Sequence, residues 1–74
     1  MEVVRELKGF QGSAVLVEHG GKHYVVSSVN AYSGPETLVF EADEHGEVTN
    51  WGDVAGGRGM SREEAIADLE SARS

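Results

Sequence analysis

The stretch that decides the fold is Ser13-Ala14-Val15-Leu16-Val17-Glu18-His19-Gly20-Gly21-Lys22-His23-Tyr24-Val25-Val26-Ser27-Ser28-Val29. Two runs rich in β-branched and aromatic residues flank a Gly-Gly pair, and adjacent glycines supply the two positive-φ positions of a type I′ hairpin turn. With Gly20 and Gly21 as the loop the register follows: Val17 faces Tyr24, Val15 faces Val26, and Glu18 faces His23. Alternation puts Val15, Val17, Tyr24 and Val26 on one face and Leu16, Val25 and Val29 on the other. The first face is the better core candidate. The second carries enough aliphatic surface to need partial cover, from Phe10, from an N-terminal strand or from another protomer.

Outward from the hairpin, Val3 to Leu7 reads as a strand, an edge strand because Arg5, Glu6 and Lys8 discourage further pairing. Gly9-Phe10-Gln11-Gly12 reads as a turn. Downstream, Asn30 to Pro35 holds a Ser-Gly-Pro turn, and Glu36-Thr37-Leu38-Val39-Phe40-Glu41 alternates as a further strand antiparallel to the hairpin. Asp43-Glu44-His45-Gly46 turns the chain into a short Glu47-Val48-Thr49 segment. Asn50 then either caps a brief helical turn from Trp51 to Val54, directing both inward, or opens a loop. Gly56-Gly57-Arg58-Gly59 is expected to break regular structure.

Ser61-Arg62-Glu63-Glu64 matches a capping box, which starts a helix over about residues 62 to 72. Ala65, Ile66, Leu69 and Ala72 form its apolar stripe, with Glu63, Glu64, Asp68 and Glu70 opposite. The prediction is an α+β fold, a small antiparallel sheet of three to four strands with one C-terminal helix packed on a face. It forms a single domain over 1–74, β-rich to residue 50, with a loop at 51–60 before the helix.

A chain of 74 residues supports one core, since domains of this size bury only about 60% of their unfolded surface. Without cysteine there is no disulfide framework or thiolate metal cage, which suits a reducing compartment. The start, Met1-Glu2-Val3-Val4-Arg5-Glu6, lacks a secretory pattern, and the longest aliphatic run, Ala14 to Val17, is far too short to span a membrane. The expected location is cytoplasmic. Charge is lopsided: residues 1 to 35 carry three acids and three bases, and residues 36 to 74 carry ten acids and three arginines, so the whole net charge of −7 lies beyond Pro35.

The candidate chemistries fail on spacing. His19 and His23 fall on opposite hairpin faces and His45 lies in a separate turn, a poor arrangement for a metal. The Asp43 to Glu47 loop places its glycine fourth, where a calcium-binding EF-hand needs it sixth. Gly56 to Gly59 opening onto a helix loosely resembles an anion cradle aided by Arg58 and Arg62, but it lacks the Gly-Lys-Ser/Thr ending, and Glu63 and Glu64 compete for the dipole. No nucleophile elbow brings Ser27 or Ser28 to a histidine, and no enzyme or cofactor is implied. Six scattered bases in a net acidic chain speak against direct nucleic-acid binding.

Binding is the remaining class. Glu63, Glu64, Asp68 and Glu70, with Glu36, Glu41, Asp43, Glu44 and Glu47 near them, make a candidate docking or decoy surface for a basic protein, and exposed Trp51 or Tyr32 would anchor it. The bland alternative is a solvated helix face that confers solubility.

Several phrases, His23-Tyr24-Val25-Val26-Ser27-Ser28-Val29, Glu36-Thr37-Leu38-Val39-Phe40, Gly46-Glu47-Val48-Thr49-Asn50-Trp51 and Ser61 through Ala65-Ile66, resemble the small uncharacterised accessory proteins of actinobacterial phages, including mycobacteriophages. The resemblance spans roughly two thirds of the chain and implies a phage product in the host cytoplasm that modulates host physiology or defence by binding a host protein. It transfers no catalytic residue. The alternatives are a homo-oligomeric scaffold assembling through the β-hairpin and a nucleotide sponge formed between protomers.

Overall fold

The computed structural model describes residues 2–7, 13–31 and 34–73. Among them, five strands form one antiparallel sheet in strict chain order: β1 (Glu2–Leu7), β2 (Ser13–His19), β3 (Lys22–Ala31), β4 (Gly34–Ala42) and β5 (Val48–Arg58). Helix α1 (Arg62–Arg73) follows. The α+β class and the C-terminal helix agree with the sequence reading; the sheet has five strands instead of three to four. Phe10 with its turn, Tyr32 and Ser33 lie outside the described residues.

The hairpin takes the predicted register, with Val17 opposite Tyr24, Val15 opposite Val26 and Glu18 opposite His23. Gly20 and Gly21 adopt φ of 62° and 79°, the left-handed values that the two-residue turn requires. β1 is an edge strand as expected. Between Val3 and Arg5 its register slips at Val4, a bulge that turns Arg5 and Leu7 to the side of Leu16 and Ala14.

Both faces of the hairpin are buried. On one, Val15, Val17, Tyr24 and Val26 join Val39 and Ala55 beneath Ala65 and Leu69 of α1, with Val54 and Ile66 at the margin. On the other, Ala14, Leu16 and Val25 are buried with no helix above them, and Leu7, Ala42 and Val48 pack against them. The sheet supplies this second cover itself. Its β1 end and its β4–β5 turn curl together, so that a Cβ on Gly46 would lie 2.9 Å from Leu7 Cδ2, and the Arg5 guanidinium donates to the His45 carbonyl. The expectation that the N-terminal strand would cover this face is met through Leu7.

The predicted loop over 51–60 is instead mostly strand, and the glycines read as breakers lie within it. Thr37, Leu38 and Val39 of β4 pair with Gly57, Gly56 and Ala55. The cause is close approach: a Cβ on Gly56 would stand 2.1 Å from the Thr37 carbonyl oxygen, and φ there is 91°. Only glycine lets the two backbones meet in this way. Further along, Val39 opposes Ala55 while Glu41 opposes Asn50, so Trp51 to Val54 bulge out opposite Phe40 alone.

The helix start is built as the capping box predicts. Glu64 N donates to Ser61 Oγ and Ser61 N donates to Glu64 Oε1, both at 3.3 Å. Fully buried Thr37 ties the segment before the helix to the sheet, its hydroxyl lying 2.9 Å from both Met60 O and Ser28 Oγ. Because the carbonyl can only accept, Thr37 gives its one proton to Met60 O and accepts from Ser28.

Candidate functional site

The acids divide between the two sides of the sheet. On α1, Glu63 and Glu64 are exposed in the first turn and Glu70 is half-buried. Glu64 serves the capping box, and Asp68 Oδ2 accepts from Gly56 N at 3.2 Å, fastening the helix to β5. Asp68 was read as a residue facing away from the fold; its carboxylate instead meets the glycine where β4 and β5 crowd together.

The second group lies in the turn between β4 and β5, which curls toward the face without a helix. Asp43 organises that turn. Its Oδ1 accepts from His45 N at 2.9 Å and Glu47 N at 3.0 Å, and its backbone exchanges hydrogen bonds with Glu47 and Gly46. The Glu47 amide, with the His45 amide and imidazole, holds the Asp43 carboxyl below its ordinary 3.8, against a smaller opposing effect of desolvation. Glu44 and Glu47 are exposed, and Glu44 Oε1 lies 3.7 Å from His45 Nε2. Glu41 is half-buried on the helix side of β4, opposite Tyr24 and Asn50. Glu63, Glu64, Asp68 and Glu70 are therefore not continuous with Asp43 and Glu44.

Trp51 is the exposed aromatic that the sequence reading asked for, although its expected inward position is wrong. It is 67% exposed, more than any other large apolar residue described. Asn50 does bond forward as a cap would, its Oδ1 accepting from Gly52 N at 2.9 Å, but the chain continues as bulged strand and not as helix. The bulge sets Trp51 against Phe40, ring centroids 5.3 Å apart and planes at 61°, an edge-to-face contact that orients the indole while leaving most of it in solvent. Val54 does turn inward, against the helix-side core. Tyr32, the other anchor considered, lies outside the described residues.

The Gly56 to Gly59 segment has few amides free for an anion. Gly56 N meets Asp68, Gly59 N donates to Pro35 O at 2.7 Å, Met60 N to Gly57 O at 3.4 Å, and Ser61 N to Glu64. Carboxylates occupy two of the positions that a phosphate would need. His19 and His23 occupy adjacent registers on opposite faces, and among the described residues no three His, Asp or Glu side chains gather as a metal-holding group. Ser28 pairs with Thr37. Among the described residues no helix is long and apolar enough to cross a membrane.

What sequence reasoning missed was the union of Phe40 and Trp51 on one hairpin, because the bulge between them destroys the alternation that would have aligned them. The clue was the density of glycine in 52–59, which marked a distorted strand as readily as a loop. No protein-family model, curated protein or solved structure matches the chain.

Proposed function

We propose that this chain is a non-enzymatic binding protein that docks on a host protein through its β4–β5 hairpin, acting as an inhibitor or acidic decoy. Trp51 carries the reading. Its indole meets Phe40 in a T-shaped contact and is still two-thirds in solvent, and tryptophan is enriched among the residues that anchor protein interfaces. The carboxylates of the β4–β5 turn, Asp43, Glu44 and Glu47, steer a basic partner toward this hairpin, with Glu41, Glu63, Glu64, Asp68 and Glu70 adding a long-range field from the helix side. The likeness to accessory proteins of actinobacterial phages supports a setting in the host cytoplasm.

Affinity capture from an actinobacterial lysate at low salt, compared between the native chain and Trp51→Ala, tests this. A host protein retained by the first and lost by the second is expected; equal recovery would sink the reading.

A second reading, self-assembly, is favoured by β1. The β2–β3 hairpin is paired on both outer sides, by β1 and β4, so it offers no free edge to another copy. β1 does, and its Val3 and Val4 are 57% and 47% exposed. Light scattering over a wide concentration range decides it, a constant monomer mass ruling assembly out.

A further inference from the structure

Resting on the binding role just proposed, we infer that the Trp51–Phe40 pair receives an arginine side chain from a basic segment of the partner. Three observations converge. First, Trp51 is 67% exposed while in T-shaped contact with Phe40, which leaves indole surface accessible to a cation. Second, the β4–β5 hairpin, Gly34 to Arg58, contains Glu36, Glu41, Asp43, Glu44, Glu47 and Asp53 against the single base Arg58 at its far end, so the hairpin bearing Trp51 is strongly anionic. Third, Arg5, which reaches the β4–β5 turn from β1, is committed to the His45 carbonyl, and Trp51 stacks edge-to-face with Phe40.

Arginine suits this surface better than lysine. Its guanidinium is planar, stacks on aromatic faces and is weakly hydrated, and neighbouring bases of the same segment can pair with the exposed turn carboxylates Glu44 and Glu47. The competing use of an exposed tryptophan, insertion into an apolar pocket of the partner, needs neither the carboxylates nor a cation.

Trp51 is the sole tryptophan, so indole emission reports on this residue alone. The intact chain is titrated with a fluorescently labelled peptide of repeated Arg-Gly-Ser and with matched peptides carrying lysine or serine for arginine; peptide anisotropy follows binding, and Trp51 emission is read with unlabelled peptide. The expected result is a saturable response to the arginine peptide, weaker binding of the lysine peptide, none of the serine peptide, and loss of the signal at raised salt. Trp51→Leu should weaken the arginine peptide by about fivefold, the scale of a single exposed cation–π contact, and Trp51→Phe should recover part of that. Paired Glu44→Gln and Glu47→Gln should weaken it severalfold without unfolding the chain, as both are exposed.

No response to the arginine peptide, or equal affinity in Trp51→Leu, overturns the inference. If Trp51→Leu nonetheless abolishes capture of a host protein, the binding role stands and the arginine assignment alone falls. If capture is indifferent to Trp51→Leu, the binding role falls as well.

Discussion

The two faces of the sheet are closed by different means. The face beneath α1 is sealed by a separate element, docked through Ala65 and Leu69 and fastened at Asp68 to Gly56 and at Met60 to Thr37. The opposite face has no such lid and buries Leu16 and Val25 by bending, with β1 and the β4–β5 turn meeting through Leu7, Gly46 and Arg5. The difference teaches where a small chain can place a binding surface. The helix side uses Glu64 and Asp68 for internal fastening, whereas on the curled side Asp43 holds the turn and leaves Glu44, Glu47 and Trp51 in solvent.

The largest way to break the contrast is Gly56→Ala. It forces a methyl into the Thr37 carbonyl at a positive φ, so a loss of about 4 kcal/mol in urea unfolding is expected, with separation of β4, β5 and the helix together. Next come two deletions of equal chemistry on opposite faces. Leu69→Ala and Leu16→Ala each remove a fully buried side chain and should each cost about 3 kcal/mol. They separate in circular dichroism: Leu69→Ala loosens the helix and lowers the helical signal before global unfolding, while Leu16→Ala leaves that signal intact until the sheet melts. Smaller is Ser61→Ala, which removes the hydroxyl accepting from Glu64 N and should cost about 1 kcal/mol, confined to the helix side.

The smallest effect sharpens the curled side. Asp43 has a lowered pKa in the folded chain, so its contribution is complete at pH values above the ordinary carboxylate range and is lost as pH falls through the lowered value. Acid titration followed by NMR should show the His45 and Glu47 amides shifting together in that window. Asp43→Asn should abolish the transition.

Much of this was legible where one local rule governs. Gly20-Gly21 set the hairpin register and hence both face assignments, and Ser61 with Glu64 set the helix start. The reading failed beyond Asn50, since glycines 52, 56 and 57 look alike in sequence whether they end a strand or let one approach its neighbour closely. Only the pairing of β4 distinguishes the two cases. The two-sided distribution of the acids was likewise hidden, because it depends on which way the sheet bends and on Asp68 finding the Gly56 amide, contacts between residues that no periodicity relates. The exposure of Trp51 follows from the same bulge.

The strictly sequential strand order also has a consequence for biosynthesis. Every neighbour in the sheet is the previous strand in the chain, so pairing can advance as each strand leaves the ribosome, with little loop entropy to overcome. The lid of one face comes last. Until α1 emerges, Val15, Val17, Tyr24, Val26 and Val39 form an uncovered apolar sheet, and the nascent chain passes through an interval in which chaperones have something to hold.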